Sequence, residues 1–312
     1  MFISIVSPVY QAEKIIPELC SRITEEISQI TDDFEIILVE DGSLDNSWIE
    51  IVKQLEINKS IIGIKLSRNF GQHNAISAGL KKSKGEIVIV LDCDLQDNPS
   101  YFKSLIAKHL EGAEIVYTVK NKRQYSLIKN FSAILFNTLY NYLIDNKDWK
   151  HSKNIGSYTL LSRKVVDAFN QVNDTHRHYL MILRWLGFKS DFLYIEQEKR
   201  FEGKSSYTFS KLIQHAISGI TSQSDKLLRI SISIGLLLTF FSFIAILIVI
   251  ILYFHHGFLS GWTSLFVLIL FSTGMILTSI GIAGVYIGKI FDQVKNRPLY
   301  LISEEIESDK NH

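Results

Sequence analysis

Short apolar runs alternate with helically spaced segments through the N-terminal part of the chain. Four of these runs have the length and composition of buried strands and are followed by polar clusters: 2–7, 35–39, 61–66 and 86–91. The segments between them repeat apolar residues at helical spacing, over 15–30, 48–55 and 74–82. Strands joined by helices predict an α/β fold with a doubly wound, mainly parallel sheet. In such sheets, ligands bind at the carboxyl ends of the strands.

Two long stretches without charge follow in the C-terminal part. They run from Ile230 to Phe254 and from Gly257 to Gly288. A helix of about 25 residues is about 37 Å long, enough to cross a hydrocarbon core of about 30 Å. We therefore expect a hairpin of two transmembrane helices, near 230–254 and 262–288. A pair of buried helices in a soluble core is the alternative. The expected organisation is a cytoplasmic domain at 1–225, a membrane region at 226–288 and a cytoplasmic tail at 289–312.

Basic residues lie at the outer ends of the two uncharged stretches and not in the turn between them. Lys226 and Arg229 precede the first stretch, and Lys289, Lys295 and Arg297 follow the second, whereas the turn between them has no Lys or Arg. The positive-inside rule then puts both ends in the cytoplasm. The N-terminal segment lacks the basic and long apolar regions of a signal peptide. We expect a multi-pass protein of the cell inner (cytoplasmic) membrane, with the N-terminal domain and both termini cytoplasmic.

The charge balance and the cysteines exclude two classes of function. Lys and Arg number 33 against 32 Asp and Glu, for a net charge of +1. Nucleic-acid-binding domains usually carry a basic excess, so we expect no nucleic-acid partner. Cys20 and Cys93 are far apart and in no metal-ligand spacing, which indicates neither a disulfide framework nor a zinc site.

Polar clusters follow the four predicted strands, at 8–10, 40–41, 67–69 and 92–94. Asp92 and Asp94 place two carboxylates directly after a strand, and Mg²⁺ commonly binds one or two carboxylates together with substrate phosphates. Glu40 and Asp41 can accept hydrogen bonds from a nucleobase or a ribose. The chain has no G-x-G-x-x-G or P-loop pattern, which favours a metal ion for a pyrophosphate. Solvated turns after the strands are the alternative interpretation.

Four segments, in this order, carry a family resemblance: SIVSPVYQAE, LVEDGSLDNS, LSRNFGQHNAISAGL and VIVLDCDLQDNPS. They resemble the family 2 glycosyltransferases with the GT-A fold. The resemblance is strongest to the polyprenyl-phosphate glycosyltransferases, the group with dolichol-phosphate mannose synthase and bactoprenol glucosyltransferase. LLSRKVVD, RFEGKSSYTFSKL and YIGKIFDQVKNRPLYLI agree, so the resemblance covers nearly the whole chain. It implies an inverting transfer of one sugar from a UDP- or GDP-linked donor to polyprenyl phosphate at the lipid bilayer, for cell-envelope glycan biosynthesis.

The resemblance also implies roles for particular residues. Contacts to the nucleotide sugar are expected from Pro8, Tyr10, Glu13, Glu40, Asp41, Asp92, Cys93 and Lys120. A divalent metal, Mg²⁺ or Mn²⁺, is expected to be bound by Asp92, Asp94 and Gln96. Catalytic roles are expected for Asp94, Arg200 and Ser205, with Arg200 binding a phosphate and Ser205 lying in a mobile loop.

The chain departs from the family pattern at several positions. Glu13 comes one place later than the usual acid, Lys120 stands where arginine is common, and Ser206 stands where many members have lysine. Ser157 occupies a position where many members carry an aspartate that is a proposed base. A lipid monophosphate is largely ionised at pH 7, with a second pKa of about 6 as in phosphoserine. Such an acceptor needs positioning more than deprotonation, so Ser157 fits a phosphate acceptor.

Two further segments, 125–144 and 207–222, combine apolar residues at near helical spacing with basic neighbours. We expect amphipathic helices at the bilayer surface that guide an anionic lipid head group; core helices are the alternative. Gly284 and Gly288 form a G-x-x-x-G pattern that suits either a homo-oligomer or packing within the hairpin. Two other functions stay open. One is transfer to another membrane-linked acceptor, and the other is an inactive sugar-nucleotide-binding subunit of a lipid-linked sugar pathway.

Overall fold

Each apolar run of the N-terminal part forms a strand, and the periodic segments between them form helices. The computed structural model describes residues 1–120, 155–175, 177–196, 226–256 and 261–308. The strands are β1 (Ile3–Val9), β2 (Phe34–Glu40), β3 (Ile61–Leu66), β4 (Ile87–Val90), β5 (Ile115–Lys120), β6 (Ile155–Ser162), β7 (Ser190–Ile195) and β8 (Ile302–Glu307). The helices are α1 (Ile16–Ser28), α2 (Ser47–Ile57), α3 (Gln72–Lys82), α4 (Phe102–Leu110), α5 (Arg163–Gln171), α6 (Tyr179–Leu186), α7 (Lys226–His256) and α8 (Trp262–Val294). The predicted bounds of β1 to β4 and α1 to α3 agree with these to within about two residues.

The eight strands of the described residues form one sheet, in the order β7-β5-β6-β4-β1-β2-β3-β8. β4, β1, β2 and β3 are parallel to one another, so their carboxyl ends meet at one edge of the sheet. β6 runs antiparallel between β4 and β5, and β8 runs antiparallel to β3. The prediction of an α/β fold with a mixed, mainly parallel sheet is confirmed.

The strands that carry the predicted site are buried on both faces. Every residue of β1 and β2 is buried, as expected for parallel strands covered by helices on both sides. α3 lies very close to the sheet at Gly79, where a Cβ atom would stand 2.3 Å from Cγ1 of Val6. On α1, Leu19, Ile23 and Ile27 are buried in the hydrophobic core. Burial of each such side chain contributes about 1.5–3 kcal/mol to the free energy of folding. The strand ends therefore project from a stably packed core.

The C-terminal segment returns to the sheet as β8, an element that the sequence did not predict within the expected tail at 289–312. Its register with β3 pairs Gly63 with Ile306. Ion pairs join its glutamates to the rest of this unit, among them Lys65–Glu304 at 2.7 Å and Lys82–Glu305 at 2.5 Å. Residues 297–308 therefore belong to the same compact unit as 1–120, 155–175 and 177–196.

α7 and α8 form a second compact unit, which comprises residues 226–256 and 261–296 of the described chain. Within this unit, Ser231 Oγ donates a hydrogen bond to Ser279 Oγ at 3.0 Å. Among the described residues, Phe271–Val294 is long and apolar enough to cross a membrane by length and composition. Leu277 and Ile280 of this segment are more than half exposed, which is unusual for a soluble surface. A hairpin of two transmembrane helices stays a prediction.

Candidate active site

The carboxyl ends of β1, β2 and β4 open onto one cleft with a volume of about 380 Å³. That volume falls within the range of about 300–1,000 Å³ typical of ligand sites. Six residues with predicted roles in donor or metal binding line the cleft: Pro8, Tyr10, Asp41, Asp92, Cys93 and Asp94. Asn69 and Gly71, in the loop after β3, and Gln72, the first residue of α3, also line the cleft. The parallel sheet thus brings these residues together, and their binding roles stay predictions.

Asp41 is fixed at the end of β2 by two backbone amides. Its carboxylate accepts hydrogen bonds from the N–H groups of Phe70 at 2.7 Å and Gly71 at 2.9 Å. Gly42, with φ of +64°, permits this approach, because a Cβ atom there would stand 2.3 Å from the backbone of Arg68. Burial raises the pKa of Asp41 to about 6, although the two amides act in the opposite direction. The arrangement leaves a partly desolvated carboxyl group facing the cleft.

Glu40 and Glu13 are engaged with neighbouring loops rather than with the cleft. The Glu40 carboxylate accepts a hydrogen bond from the backbone N–H of Ser43. Glu13 accepts a hydrogen bond from the side-chain amide of Asn46 at 3.2 Å, which ties the loop after β1 to the start of α2. Neither glutamate is among the residues that line the cleft. Their predicted contacts to the nucleotide sugar stay predictions.

Asp92 is held by two neutral donors at the end of β4. Gln72 Nε2 donates to Oδ1 at 2.7 Å, and Ser157 Oγ donates to Oδ2 at 2.5 Å. Burial, and next the repulsion from Asp97, raise the pKa of Asp92 to about 6, and the hydrogen bond from Ser157 opposes that rise. Both contacts come from elements far away in the sequence, and the sequence analysis assigned neither of them.

Lys120 lies against a buried carboxylate that the sequence analysis left without a role. Its Nζ atom is 3.0 Å from Oδ1 of Asp97, whose side chain has no exposed surface. Burial raises the pKa of Asp97, and Lys120 opposes that rise. Lys120 also lowers the pKa of Asp92, so its charge acts on the acidic end of the cleft, the part lined by Asp92 and Asp94. A direct contact from Lys120 to the nucleotide sugar stays a prediction.

The turn after Asp92 is held in a strained conformation. Leu95 has φ of 56°, in the left-handed region that a residue with a side chain rarely adopts, and its side chain is buried. The backbone N–H of Gln96 donates to Oδ1 of Asp94 at 3.1 Å. Such strain persists only where the surrounding structure holds it, and it is common at functional sites.

A divalent cation fits the chemistry of this end of the cleft. Within the described residues, no group of three or more His, Cys, Asp or Glu side chains is placed to hold a metal ion without other ligands. Mg²⁺, however, usually takes one or two carboxylates and completes its shell with substrate phosphates and water. Asp92 and Asp94 supply that number, and carboxylate repulsion at Asp92 is what a cation would relieve. The Cys93 thiol is a neutral lining group, because burial raises its pKa to about 12.

Arg200 and Ser205 lie outside the described residues, as do the segments 125–144 and 207–222. Asn69, Gly71 and Gln72 reach the cleft through the loop after β3, where the sequence showed only a polar cluster at a strand end. Gln72 is the first residue of α3, and a glutamine at the start of a helix does not by itself indicate a contact with Asp92. The contact of Ser157 with Asp92 depends on the pairing of two strands.

A mixed sheet with carboxylates at the ends of its parallel strands is the architecture of a GT-A-type glycosyltransferase. The chain belongs to glycosyl transferase family 2, whose pattern matches residues 4–169. It is 34% identical to an uncharacterized glycosyltransferase, YkcC, of Bacillus subtilis (strain 168), over 96% of this chain and 93% of that protein. It is also 34% identical to the SfII prophage-derived bactoprenol glucosyl transferase of Shigella flexneri, over 97% and 98%. A third relative is the undecaprenyl-phosphate 4-deoxy-4-formamido-L-arabinose transferase of Proteus mirabilis (strain HI4320), at 29% identity over 97% and 94%. The resemblance inferred from the sequence is confirmed.

Proposed function

We propose that the protein is an inverting glycosyltransferase that moves one sugar from a nucleotide-diphosphate sugar to polyprenyl phosphate at the cytoplasmic face of the membrane. The observation that carries this proposal is the acidic end of the cleft, where Asp92 and Asp94 face the space and Ser157 holds Asp92. Family membership supports the transfer of a sugar. The names of two relatives, a bactoprenol and an undecaprenyl-phosphate transferase, support a polyprenyl acceptor.

The donor half of the proposal assigns the cleft to the nucleotide diphosphate. Asp41 lines the cleft just after β2, and its carboxylate would accept hydrogen bonds from a nucleobase or a ribose. Asp92 and Asp94 would hold Mg²⁺ or Mn²⁺ against the diphosphate. When bound, the cation would neutralise negative charge that develops on the leaving diphosphate.

Residue 157 is a serine and not a carboxylate, which favours a phosphate as the acceptor. An oxygen of the lipid phosphate attacks the anomeric carbon, the bond from that carbon to the diphosphate oxygen breaks, and the nucleoside diphosphate leaves with the electron pair. Because a phosphate monoester is already ionised at pH 7, no proton has to be removed from the nucleophile. The Ser157 hydroxyl, which donates to Asp92, is consistent with a reaction that needs no base at this position.

The membrane half rests on the two long helices and on β8. β8 pairs with β3, so the chain that leaves the sheet unit before α7 comes back to it after α8. An even number of membrane crossings is compatible with this pairing, whereas a single crossing would put β3 and β8 on opposite sides of the membrane. The basic flanks of the two helices then favour the cytoplasm for the sheet unit.

The decisive experiment is an incubation of the purified protein with polyprenyl phosphate, Mg²⁺ or Mn²⁺, and a panel of labelled UDP- and GDP-sugars. We expect one donor to transfer its label to the lipid, and Asp94→Ala to give no product. Product from wild type only with a different membrane acceptor would contradict the assignment of polyprenyl phosphate. Binding of a nucleotide sugar without transfer to any acceptor would favour the inactive subunit.

A further inference from the structure

The register of two antiparallel strands places Ser157 opposite Asp92. Val90 at the end of β4 pairs with Thr159 of β6. Two residues further along the chain from Val90 is Asp92, and two residues back from Thr159 is Ser157. The two side chains therefore meet just beyond the paired segment, and the 2.5 Å hydrogen bond from Ser157 Oγ to Oδ2 of Asp92 closes this contact.

Asp92 and the nearby Asp97 are stabilised in different ways. The buried Asp97 carboxylate pairs with the Lys120 ammonium at 3.0 Å, which neutralises it. Asp92, by contrast, accepts hydrogen bonds from the hydroxyl of Ser157 and the amide of Gln72, both of which are neutral. Neutral donors fix the direction of a carboxylate without cancelling its charge. The full negative charge of Asp92 therefore stays available to a cation in the cleft.

Orientation matters at this point because neighbouring carboxylates repel Asp92. Repulsion from Asp97 and from Asp94 acts on its carboxyl group, and a side chain with free rotation would turn away from them. A hydrogen bond on each oxygen prevents that rotation. Partners that orient metal ligands in this way typically change metal affinity by about 10- to 100-fold when they are removed.

We propose that Ser157 is a positioning residue that, together with Gln72, holds the Asp92 carboxylate in the orientation that binds the cation and the diphosphate of the donor. Ser157 does not take a proton from the acceptor. This inference rests on the proposed function, because it assigns the cleft to a nucleotide-diphosphate donor. It gives the residue a role that differs from the base proposed for the aspartate of other family members.

The test compares three variants of the full-length protein. Ser157→Ala removes the hydroxyl, Ser157→Thr keeps it, and Ser162→Ala makes the same deletion at the other end of β6, where the residue pairs with Ile87. The first readout is the affinity for Mn²⁺ in the presence of UDP or GDP, measured by calorimetry without any lipid. We expect Ser157→Ala to weaken it about tenfold, since Gln72 still holds one oxygen. Ser157→Thr and Ser162→Ala should stay within about twofold of wild type.

The second readout is the kinetics of transfer to polyprenyl phosphate. Ser157→Ala should raise KM for the donor, leave KM for the lipid unchanged and keep the shape of the pH–rate profile. Unchanged Mn²⁺ affinity in Ser157→Ala would overturn the positioning role, and so would the loss of one limb of its pH profile. The calorimetric result does not depend on the acceptor. Failure of wild type to use polyprenyl phosphate would therefore sink the proposed function and leave the positioning of Asp92 standing.

Discussion

Lys120 Nζ lies 3.0 Å from Oδ1 of Asp97, and the Asp97 side chain has no exposed surface while that of Lys120 is 23% exposed. The lysine comes from the end of β5, and the aspartate comes from the turn after β4. The pair therefore links two strands that are not neighbours in the sheet. It also sets the charge at the acidic end of the cleft, because Lys120 lowers the pKa of both Asp92 and Asp97.

Removal of this lysine should destabilise the protein strongly. Lys120→Met leaves the buried Asp97 charge unpaired, and we expect a loss of about 3 kcal/mol at pH 7.5. Denaturant unfolding measures the change. The double variant Lys120→Met/Asp97→Asn should recover most of the loss, because it removes both charges. Lys164→Met is the matched control: it breaks a pair with Glu114 in which Lys164 is 71% exposed, and it should cost less than about 1 kcal/mol. Equal losses for Lys120→Met and Lys164→Met would contradict the importance of burial.

Asp94→Ala should abolish sugar transfer without unfolding the protein. The variant loses a carboxylate that lines the cleft. If Asp94 binds the metal as proposed, its loss removes several kcal/mol of transition-state stabilisation, at least about 100-fold in rate. Turnover with labelled donor and thermal unfolding should be measured on the same preparation. Asp167→Ala, on the exposed side of α5, is a control that should keep wild-type rates. Near-normal turnover by Asp94→Ala, or full activity of wild type in excess chelator, would rule out the metal role.

Asp92→Asn should be more stable than wild type above pH 6 and inactive. The folded state raises the pKa of Asp92 from 3.8 to about 6. The folded protein therefore holds its proton more tightly than the unfolded chain, and stability decreases as the pH rises through this interval. Asn carries no charge, so its stability does not decrease in this way. The difference in unfolding free energy between Asp92→Asn and wild type should therefore grow from about pH 4 to about pH 6 and stay constant above. We expect an advantage of about 1–2 kcal/mol, less than the full shift implies, because Asp92 is only partly buried.

The measurement for Asp92→Asn is denaturant unfolding of both proteins at several pH values without divalent cations. Asp167→Asn serves as the control, because it makes the same substitution at a side chain that is 59% exposed. If Asp92→Asn is more stable than wild type at pH 4 but not above pH 6, the pH dependence has the opposite sign. That result would disprove the raised pKa of Asp92.

Polyprenol should be a very poor substitute for polyprenyl phosphate. The alcohol is not ionised at pH 7, and residue 157 provides no carboxylate to deprotonate it. A side-by-side assay of the two lipids should show transfer to the phosphate and nearly none to the alcohol. Comparable wild-type rates on both lipids would contradict a phosphate nucleophile.

The apolar contact of β8 should matter more to stability than its ion pairs. Ile306→Ala removes a side chain that packs against the core beside Gly63, and we expect a cost of about 1–2 kcal/mol. Glu304→Gln breaks a pair in which Glu304 is 52% exposed, and it should cost much less than Ile306→Ala, because solvent screens an exposed ion pair. Unfolding in denaturant ranks the two variants. A larger effect from Glu304→Gln would show that charge pairing holds the strand.

Local pattern was sufficient to predict the first half of the sheet and the meeting of its polar strand ends at one cleft. Alternating strands and helices identify β1 to β4, and the carboxyl ends of parallel strands must meet, so Asp41 and Asp92 could be expected at one cleft. Contacts across antiparallel strands could not be predicted in the same way. The pairing of Ser157 with Asp92 depends on the register of β6, and a shift of one residue would turn Ser157 to the other face.

Two further features escaped the sequence analysis for physical reasons. The ion pair of Lys120 with Asp97 was not predicted, because burial of Asp97 is a property of the fold. The expected contact of Lys120 with the donor stays a prediction. β8 has the sequence ISEEIE, whose acidic residues are poor strand formers. Its strand conformation comes from the open edge of β3 and from the lysines that face it, and neither lies nearby in the sequence.

β8 also constrains the order in which the protein can be made. Glu304 meets Lys65 across 239 residues of chain, and α7 and α8 lie between them. During synthesis the β3 edge that will receive β8 stays open until both helices have left the ribosome. An open edge offers unpaired N–H and C=O groups to other chains. Completion of the sheet is thus coupled to the arrival of the two helices. A nascent chain stalled before residue 302 exposes an aggregation-prone edge that chaperones and proteases can recognise.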